Sequence, residues 1–375
     1  MNIILRWVAD MLLRFLRSLD LPLLAGLLAL MGIGLAVLYS AGNESSRLVL
    51  TQGVYFGIGL GALWLLSRMP AHLLKQVTPV AYALSLVPMV LVLFIGSGKY
   101  GNHWINLGVF NFQPSELAKL TLPMMLAWHL DRRPLPPNLR SLGIALLILA
   151  VPVALILLQR DLGTAVLVLA SGVFVLFLAG LSWWWFATAG VAGIAGFATA
   201  MFAPISWFGF LRPYQQDRIL TFRDPENDPM GAGWNILQSQ IAIGGGGLTG
   251  KGWGQGTQSH LDYLPEHTTD FVFSVLAEEF GWVGVMVVLA LYLFVVGRCL
   301  WIAADSRDSY SRLLAGALGL SLFVYVLVNA GMISGLLPIV GVPMPLLSRG
   351  GTSSIALLAG FGVIMALRAQ RSRHR

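Results

Sequence analysis

Long apolar stretches constrain the fold of this chain more than any other feature. Of its 375 residues, 57% are hydrophobic and only 11% are charged. A helix needs roughly 20 apolar residues to cross about 30 Å of hydrocarbon, and successive stretches of the chain approach that length. They are residues 21–40, 48–66, 77–95, 115–130, 142–158, 162–180, 183–202, 271–296, 313–336 and 353–367. The sequence therefore predicts an all-α integral membrane protein with ten transmembrane helices.

Basic residues predict the orientation of these helices, because Lys and Arg in short loops remain on the cytoplasmic side. With both termini cytoplasmic, most of the 24 basic residues fall on that side. The net charge of +7 then follows from topology and from attraction to anionic membrane lipids. No nucleic-acid partner is needed to account for it.

The chain is expected to form one polytopic membrane domain, residues 21–370. Residues 1–20 mix apolar side chains with arginines, a pattern typical of an amphipathic helix in the inner interface, and residues 371–375 form a basic cytoplasmic tail. A long extracytoplasmic loop, at about residues 203–269, separates the seventh and eighth predicted helices. It is the only predicted outer segment large enough to shape a site, so the reaction surface should face outward.

Asp270 lies where the polar run 264–271 meets an apolar stretch. An ionisable group at a bilayer boundary is costly, and it usually marks a pathway or a reaction centre that faces water. We therefore expect Asp270 to be the centre of any chemistry.

Other charged residues at predicted membrane positions are further candidates. Glu116 and Lys119 share one helical face, so they either neutralise each other in the bundle or line a polar cavity. Asp161 follows Arg160 at a predicted outer turn. It is either a reactive group or one half of a solvated ion pair with Arg160. Arg349 lies in a proline-rich outer loop, where its planar guanidinium either binds phosphate oxygens or extends to the interface.

Two patterns need a structural explanation. Adjacent residues of a helix point in different directions, so Glu278 and Glu279 cannot both face one cavity, and at least one is a packing or gating group.

Residues 244–252, Gly-Gly-Gly-Gly-Leu-Thr-Gly-Lys-Gly, imitate nucleotide-binding motifs, but Gly252 replaces the required Ser or Thr and no strand precedes the run. A glycine-rich backbone in close contact with another element or a ligand phosphate is the better interpretation.

Several distinctive motifs follow one another along nearly the whole chain. They are Gln113-Pro114-Ser115-Glu116-Leu117-Ala118-Lys119, Asp161-Leu162-Gly163-Thr164, Gly231-Ala232-Gly233-Trp234, Gly250-Lys251-Gly252-Trp253, Gly256-Thr257-Gln258-Ser259, Leu264-Pro265-Glu266, Thr269-Asp270-Phe271, Ala277-Glu278-Glu279, Gly341-Val342-Pro343 and Ser348. Together these motifs resemble those of the bacterial shape, elongation, division and sporulation (SEDS) family of membrane glycosyltransferases. The Gly256–Ser259 form is closer to the elongation members of that family than to its division members.

The resemblance implies an enzyme of the bacterial cytoplasmic membrane that polymerises lipid II into peptidoglycan strands, with a class B penicillin-binding protein as its crosslinking partner. It implies that Asp270 is the essential carboxylate. The substrate-binding candidates are Glu116, Lys119, Asp161, Arg212, Lys251, Ser348 and Arg349. The chain departs from the family pattern at His267, which comes one place early, so no role is assigned to a histidine beside Asp270.

The expected chemistry is one inverting displacement, in which a sugar hydroxyl attacks the anomeric carbon of a lipid diphosphate donor. Asp270 would act as the general base. The diphosphate leaves without protonation but needs positive charge, for which Lys119, Arg212 and Arg349 are candidates. No cofactor is required by the sequence; a divalent cation, Mg²⁺ or Mn²⁺, stays open, and no residue cluster dictates a metal site.

Two other functions remain open at this point. A transporter that flips lipid-linked cell-wall precursors would have the same composition, although the polar residues concentrate on the outer face and no paired broken helices are visible. A non-catalytic scaffold that recruits synthases is a third interpretation.

Overall fold

The computed structural model describes residues 19–98, 103–106, 108, 111–209, 211, 213–228, 231–261, 263–264 and 266–372. Nearly all of its regular structure is helical. The long helices are α1 (Leu21–Ala41), α2 (Ser46–Ser67), α3 (Ala71–Ile95), α4 (Ser115–Asp131), α5 (Leu139–Leu158), α6 (Leu162–Leu178), α7 (Trp183–Phe202), α11 (Val272–Asp305), α12 (Ser309–Ile333) and α13 (Gly351–Ser372). The expected all-α membrane class is confirmed.

Each predicted span overlaps one of these helices, in the same order. Within the described residues, eight are long and apolar enough to cross a membrane. The other two, α4 and α6, have 17 residues each. The multi-pass membrane architecture stands, and the number of ten spans stays a prediction.

Polar residues at the helix ends explain where several helices begin. Asp20, Asn138, Asp161 and Asp308 each accept a hydrogen bond from a backbone N–H in the first turn of α1, α5, α6 and α12 respectively. Such caps satisfy donors that have no partner within the helix. In α6 the cap is also one of the predicted site residues.

The segment between α7 and α11 is partly helical. It contains α8 (Pro213–Arg223), α9 (Ala232–Gly246) and the short α10 (Thr257–His260). Between α3 and α4, two-residue strands β1 (Ile105–Asn106) and β2 (Asn111–Phe112) pair antiparallel.

The core is formed by α11, α12 and α13 together with α1, α2, α4 and α6, and its buried side chains form one apolar cluster. By contrast, α7 buries none of its residues and contacts mainly the neighbouring α8. The predicted interfacial helix at residues 1–20 lies almost wholly outside the described residues, as do residues 373–375 of the predicted tail, whereas α13 continues to Ser372.

Candidate active site

Asp270 lies in a turn immediately before α11, as expected from the change from polar to apolar residues. Its side chain is half-buried. Burial raises the pKa of Asp270 from 3.8 to about 6, and the negative charges of Glu266 and Asp161 contribute to the same shift. A carboxyl group with this pKa is ionised at neutral pH, yet it is more basic than an ordinary aspartate and suits a general base.

The two acidic residues near Asp270, Asp161 and Glu266, each accept hydrogen bonds from neighbouring groups. Asp161 accepts from the Thr164 N–H at 3.0 Å through Oδ1 and from Gln113 Nε2 at 2.9 Å through Oδ2. Glu266 accepts from Thr269 Oγ1 at 2.8 Å. Asp161 is therefore fixed between the start of α6 and the segment just before α4.

The 341–350 segment, which leads into α13, packs beside Asp270. A Cβ atom built on Gly341 would lie 3.6 Å from Asp270 Oδ2. Further along, the Arg349 N–H donates to the Thr268 carbonyl at 2.9 Å. The predicted outer loop is thus docked against the turn that carries Asp270 at two points.

Ser348 and Arg349 differ in their exposure. Ser348 is buried, and its Oγ accepts from the Met344 N–H at 2.8 Å, which closes a turn within the 341–350 segment. The Arg349 side chain is exposed. Of the two, Arg349 therefore has the guanidinium available to an anionic ligand, whereas Ser348 shapes the backbone.

Glu116 and Lys119 form an ion pair, as one interpretation expected, and both border a cleft whose lining is largely apolar rather than polar. Lys119 Nζ lies 2.7 Å from Glu116 Oε1 and 5.0 Å from the centroid of the Tyr325 ring. The cleft is open at its mouth, contains about 780 Å³ of space not filled by protein atoms, open solvent included, and has Ser348 in its wall. Its apolar lining includes Leu120, Leu318, Leu322, Leu357, Phe361 and Ile364.

Glu278 holds the outer segment (residues 203–269, named for its predicted position) onto α11, whereas the Glu279 side chain joins α11 to α1. Fully buried Glu278 accepts from Lys251 Nζ at 2.6 Å, from the Thr257 N–H at 2.9 Å and from the Gln258 N–H at 3.2 Å. Glu279 accepts from the Ser40 hydroxyl on α1. Both are packing groups in this structure, and Lys251, predicted to bind substrate, has Glu278 as its partner.

The glycine-rich run packs against a break in α11. At Gly281 the backbone leaves helical geometry, with φ +64° and ψ −163°. There the Lys251 and Gly252 N–H groups donate to the Glu278 and Glu279 carbonyls, each at 3.0 Å. The expected close backbone contact is present, and the neighbouring element is a helix.

A Cβ at either of two glycines in this run would collide with α11. The nearest carbonyl oxygens would be only 2.0 Å away, Ala277 O for Gly246 and Glu279 O for Gly250. Because these two positions have no side chain, the outer segment can pack against the N-terminal part of α11, around Ala277–Phe280.

Arg212, a predicted substrate-binding residue, lies outside the described residues. The part of the chain that the structure describes contains no group of three or more His, Cys, Asp or Glu side chains placed to hold a metal ion. The ring of His267 contacts the Leu264 carbonyl within its own turn.

Three contacts of the site were missed by the sequence reasoning. Gln113 binds Asp161, Tyr325 packs on Lys119, and Asn329 binds the backbone at Asp270. A lone amide inside an apolar span is a signal that could have identified Asn329. Gln113 begins a motif that had been recognised, but its partner is 48 residues away in the sequence.

A membrane helical bundle with a carboxylate at the start of one of its helices and a cleft that contains Lys119 has the features of a membrane enzyme. A family model described as "cell cycle protein" for FtsW, RodA and SpoVE matches residues 13–373. The chain therefore belongs to the FtsW/RodA/SpoVE family, which confirms the resemblance drawn from its motifs.

Curated relatives and solved structures agree with this assignment. The chain is 45% identical over 354 residues, 94% of each protein, to the peptidoglycan glycosyltransferase MrdB of Escherichia coli K12. A chain of a peptidoglycan synthase complex that coordinates polymerization and crosslinking has a TM-score of 0.79 and 34% identity, covering 95% of this chain and 98% of that one. The Thermus thermophilus rod-shape-determining protein RodA has a TM-score of 0.69 and 30% identity over the same shares.

Proposed function

We propose that this chain is a peptidoglycan glycosyltransferase that polymerises lipid II into β-1,4-linked glycan strands during cell elongation. The observation that carries the proposal is the half-buried Asp270, whose pKa is raised to about 6. Its turn packs against the 341–350 segment, and that segment also forms part of the wall of the cleft that contains Lys119. Family relatives named as peptidoglycan glycosyltransferases support the same reaction class.

Asp270 is the general base in this proposal. It takes the proton from the 4-hydroxyl of the acceptor sugar as that oxygen forms a bond to the anomeric carbon of the donor. The bond from that carbon to the lipid diphosphate breaks at the same time, with inversion. One carboxylate is enough because the diphosphate leaves as an anion and needs no general acid.

The charged and apolar parts of the cleft match the two parts of a lipid diphosphate. Lys119 supplies positive charge where the leaving group becomes more negative, and Glu116 holds the lysine in place through their ion pair. The exposed Arg349 is a second donor to phosphate oxygens. Asp161 and Ser348 are proposed to shape the substrate site, and Arg212 stays a candidate from the sequence.

For Lys251 the structure suggests a different contribution. Its ammonium group is bound to Glu278 and Thr257, so we propose that it acts on the reaction by holding the outer segment in place. A divalent cation, Mg²⁺ or Mn²⁺, stays open as an additional source of positive charge.

The membrane placement and partner complete the proposal. Both termini lie on the cytoplasmic side of the bacterial inner membrane, and the site opens outward. A class B penicillin-binding protein crosslinks the strands; one solved neighbour, which belongs to a peptidoglycan synthase complex, supports such a partner.

Polymerisation in detergent micelles separates this function from lipid flipping. Labelled lipid II in micelles needs no translocation, so an enzyme makes glycan chains that a gel resolves, whereas a transporter makes none. We expect the purified wild type to produce chains. Absence of polymer, together with scrambling of lipid II in vesicles at the same rate by wild type and Asp270→Asn, would favour the transporter.

A further inference from the structure

Asn329 joins two parts of the candidate active site that are far apart in the sequence. It lies on α12 and is completely buried. Its Nδ2 donates to the Asp270 carbonyl at 2.8 Å and to the Val342 carbonyl at 2.7 Å. One amide group therefore connects the turn that carries Asp270 to the 341–350 segment.

Only the amino group of the Asn329 side-chain amide makes hydrogen bonds. Its Oδ1 is buried and has no hydrogen-bond partner among the described residues. Burying an amide oxygen without a partner is unfavourable, and an apolar side chain of similar size would avoid that cost. The bridge made by Nδ2 is thus the contribution that sets Asn329 apart from an apolar residue.

The bridge acts close to the Asp270 carboxylate. Val342 follows Gly341, whose Cβ position lies 3.6 Å from Asp270 Oδ2. The second contact, from the Arg349 N–H to the Thr268 carbonyl, holds the other end of the same segment. Together the two contacts tie the backbone of the turn that carries Asp270 to both ends of the 341–350 segment.

We propose that Asn329 is a positioning residue for Asp270, which holds the carboxylate at a fixed distance from the 341–350 segment and keeps it buried. This inference rests on the proposed function, because it assigns Asn329 a role only through Asp270. A general base works within hydrogen-bond reach of the proton that it removes, and misplacing a reacting group by about 1 Å can reduce the rate about 100-fold.

The test compares Asn329→Ala and Asn329→Leu with two reference variants. Leucine keeps most of the side-chain volume while removing the donors, so it guards against simple loss of packing. Ser239→Ala is the matched control: Ser239 is also fully buried, and its hydroxyl donates to the Ile333 carbonyl of α12 at 2.7 Å and contacts Ser274 of α11. Asp270→Asn tests the proposed function in the same assay.

Steady-state polymerisation of labelled lipid II is measured across pH for every variant that purifies as a monodisperse, cooperatively melting protein. We expect both Asn329 variants to lose at least about tenfold in kcat with little change in KM. We also expect the acid limb of the kcat profile to move to lower pH, because a released Asp270 becomes more hydrated. The charged groups facing Asp270, Glu266 and Asp161, are unchanged in these variants. Ser239→Ala should retain the wild-type profile.

The outcomes separate the two proposals. If Asp270→Asn is inactive but both Asn329 variants keep the wild-type kcat and acid limb, the positioning role is wrong and the proposed function survives. The positioning role is also wrong if Ser239→Ala loses as much activity as the Asn329 variants do and the acid limb of the kcat profile stays at the wild-type pH in all three variants. If Asp270→Asn polymerises at the wild-type rate, the proposed function fails, and the positioning role fails with it.

Discussion

Asp270 is more basic than an ordinary aspartate and is still ionised at neutral pH. Burial and the nearby charges of Glu266 and Asp161 make its carboxylate harder to form, and its pKa rises to about 6. At neutral pH the group is still ionised, so it can accept a proton from a sugar hydroxyl. The same environment that improves the base should make the folded protein less stable.

Replacing Asp270 by Asn should therefore raise the melting temperature at about pH 7.5. The folded pKa of about 6 lies above the ordinary 3.8, so the folded state binds protons more tightly. Stability falls as pH rises through that window, and the full penalty remains above it. Thermal unfolding of the purified proteins should show the difference shrinking toward about pH 4. A variant that melts below the wild type at neutral pH would contradict a destabilised carboxylate.

Exchanging Glu116 and Lys119 tests whether their ion pair has a role beyond packing. The double variant Glu116→Lys, Lys119→Glu keeps both charges on one helical face, but it moves the positive charge by about one helical turn. We expect folded protein with polymerisation reduced about 100-fold or more, because the cation no longer meets the leaving group. Near-normal chain synthesis by the exchanged protein would reduce both residues to a structural pair.

At the level of helices, the apolar runs were sufficient to predict where the long helices occur and in what order. The break in α11 was not predictable in the same way. Gly281 sits inside the predicted span 271–296, and the Lys251 and Gly252 N–H groups bind the carbonyls just before its non-helical backbone. Because those groups come from a distant segment, local propensity carries no information about the break.

The candidate site was predictable to a similar extent. Asp270, Glu116 and Lys119 stand out because charged side chains are rare in apolar segments. Lys251 was expected at the substrate, yet its partner is Glu278. Charge alone cannot separate a group that binds substrate from one that holds a loop; the tertiary contacts decide.

A pair of glycines in α9 tests the docking of the outer segment. Gly246→Ala would place a Cβ 2.0 Å from the Ala277 carbonyl, whereas Gly244→Ala meets nothing within 4 Å. We expect Gly246→Ala to lower stability by about 1–3 kcal/mol and to reduce polymerisation, because α11 begins directly after the turn that carries Asp270. Gly244→Ala should be neutral or slightly stabilising in thermal unfolding. Equal behaviour of the two variants would show that this contact does not hold the segment.

In the whole molecule, the outer segment is fastened to α11 by Glu278, which binds Lys251, Thr257 and Gln258, and by backbone hydrogen bonds from Lys251 and Gly252. An element fastened by a few contacts can shift its position when a partner binds, which changes the population of active states. The partner proposed above is therefore expected to act on rate as well as on crosslinking.

Adding a single-span class B penicillin-binding protein should change the polymerisation rate. We expect its anchor to pack against one of the outer helices and its stalk to contact the segment between α7 and α11. Co-purification from membranes, followed by rate measurements with and without the partner, provides the test. If the partner co-purifies but the rate is identical, the regulatory contact is wrong; if it does not bind at all, the arrangement itself is wrong.

The proposed mechanism depends above all on Asp270 acting as the base of a polymerising enzyme, and a rate comparison in micelles is its sharpest test. Purified wild type and Asp270→Asn are supplied with labelled lipid II, and glycan chains are separated on a gel over time. The amide keeps the shape of the carboxylate but cannot accept the proton, so we predict long chains from the wild type and none from the inserted, folded variant. Chains made by Asp270→Asn at the wild-type rate would show that Asp270 is not the base.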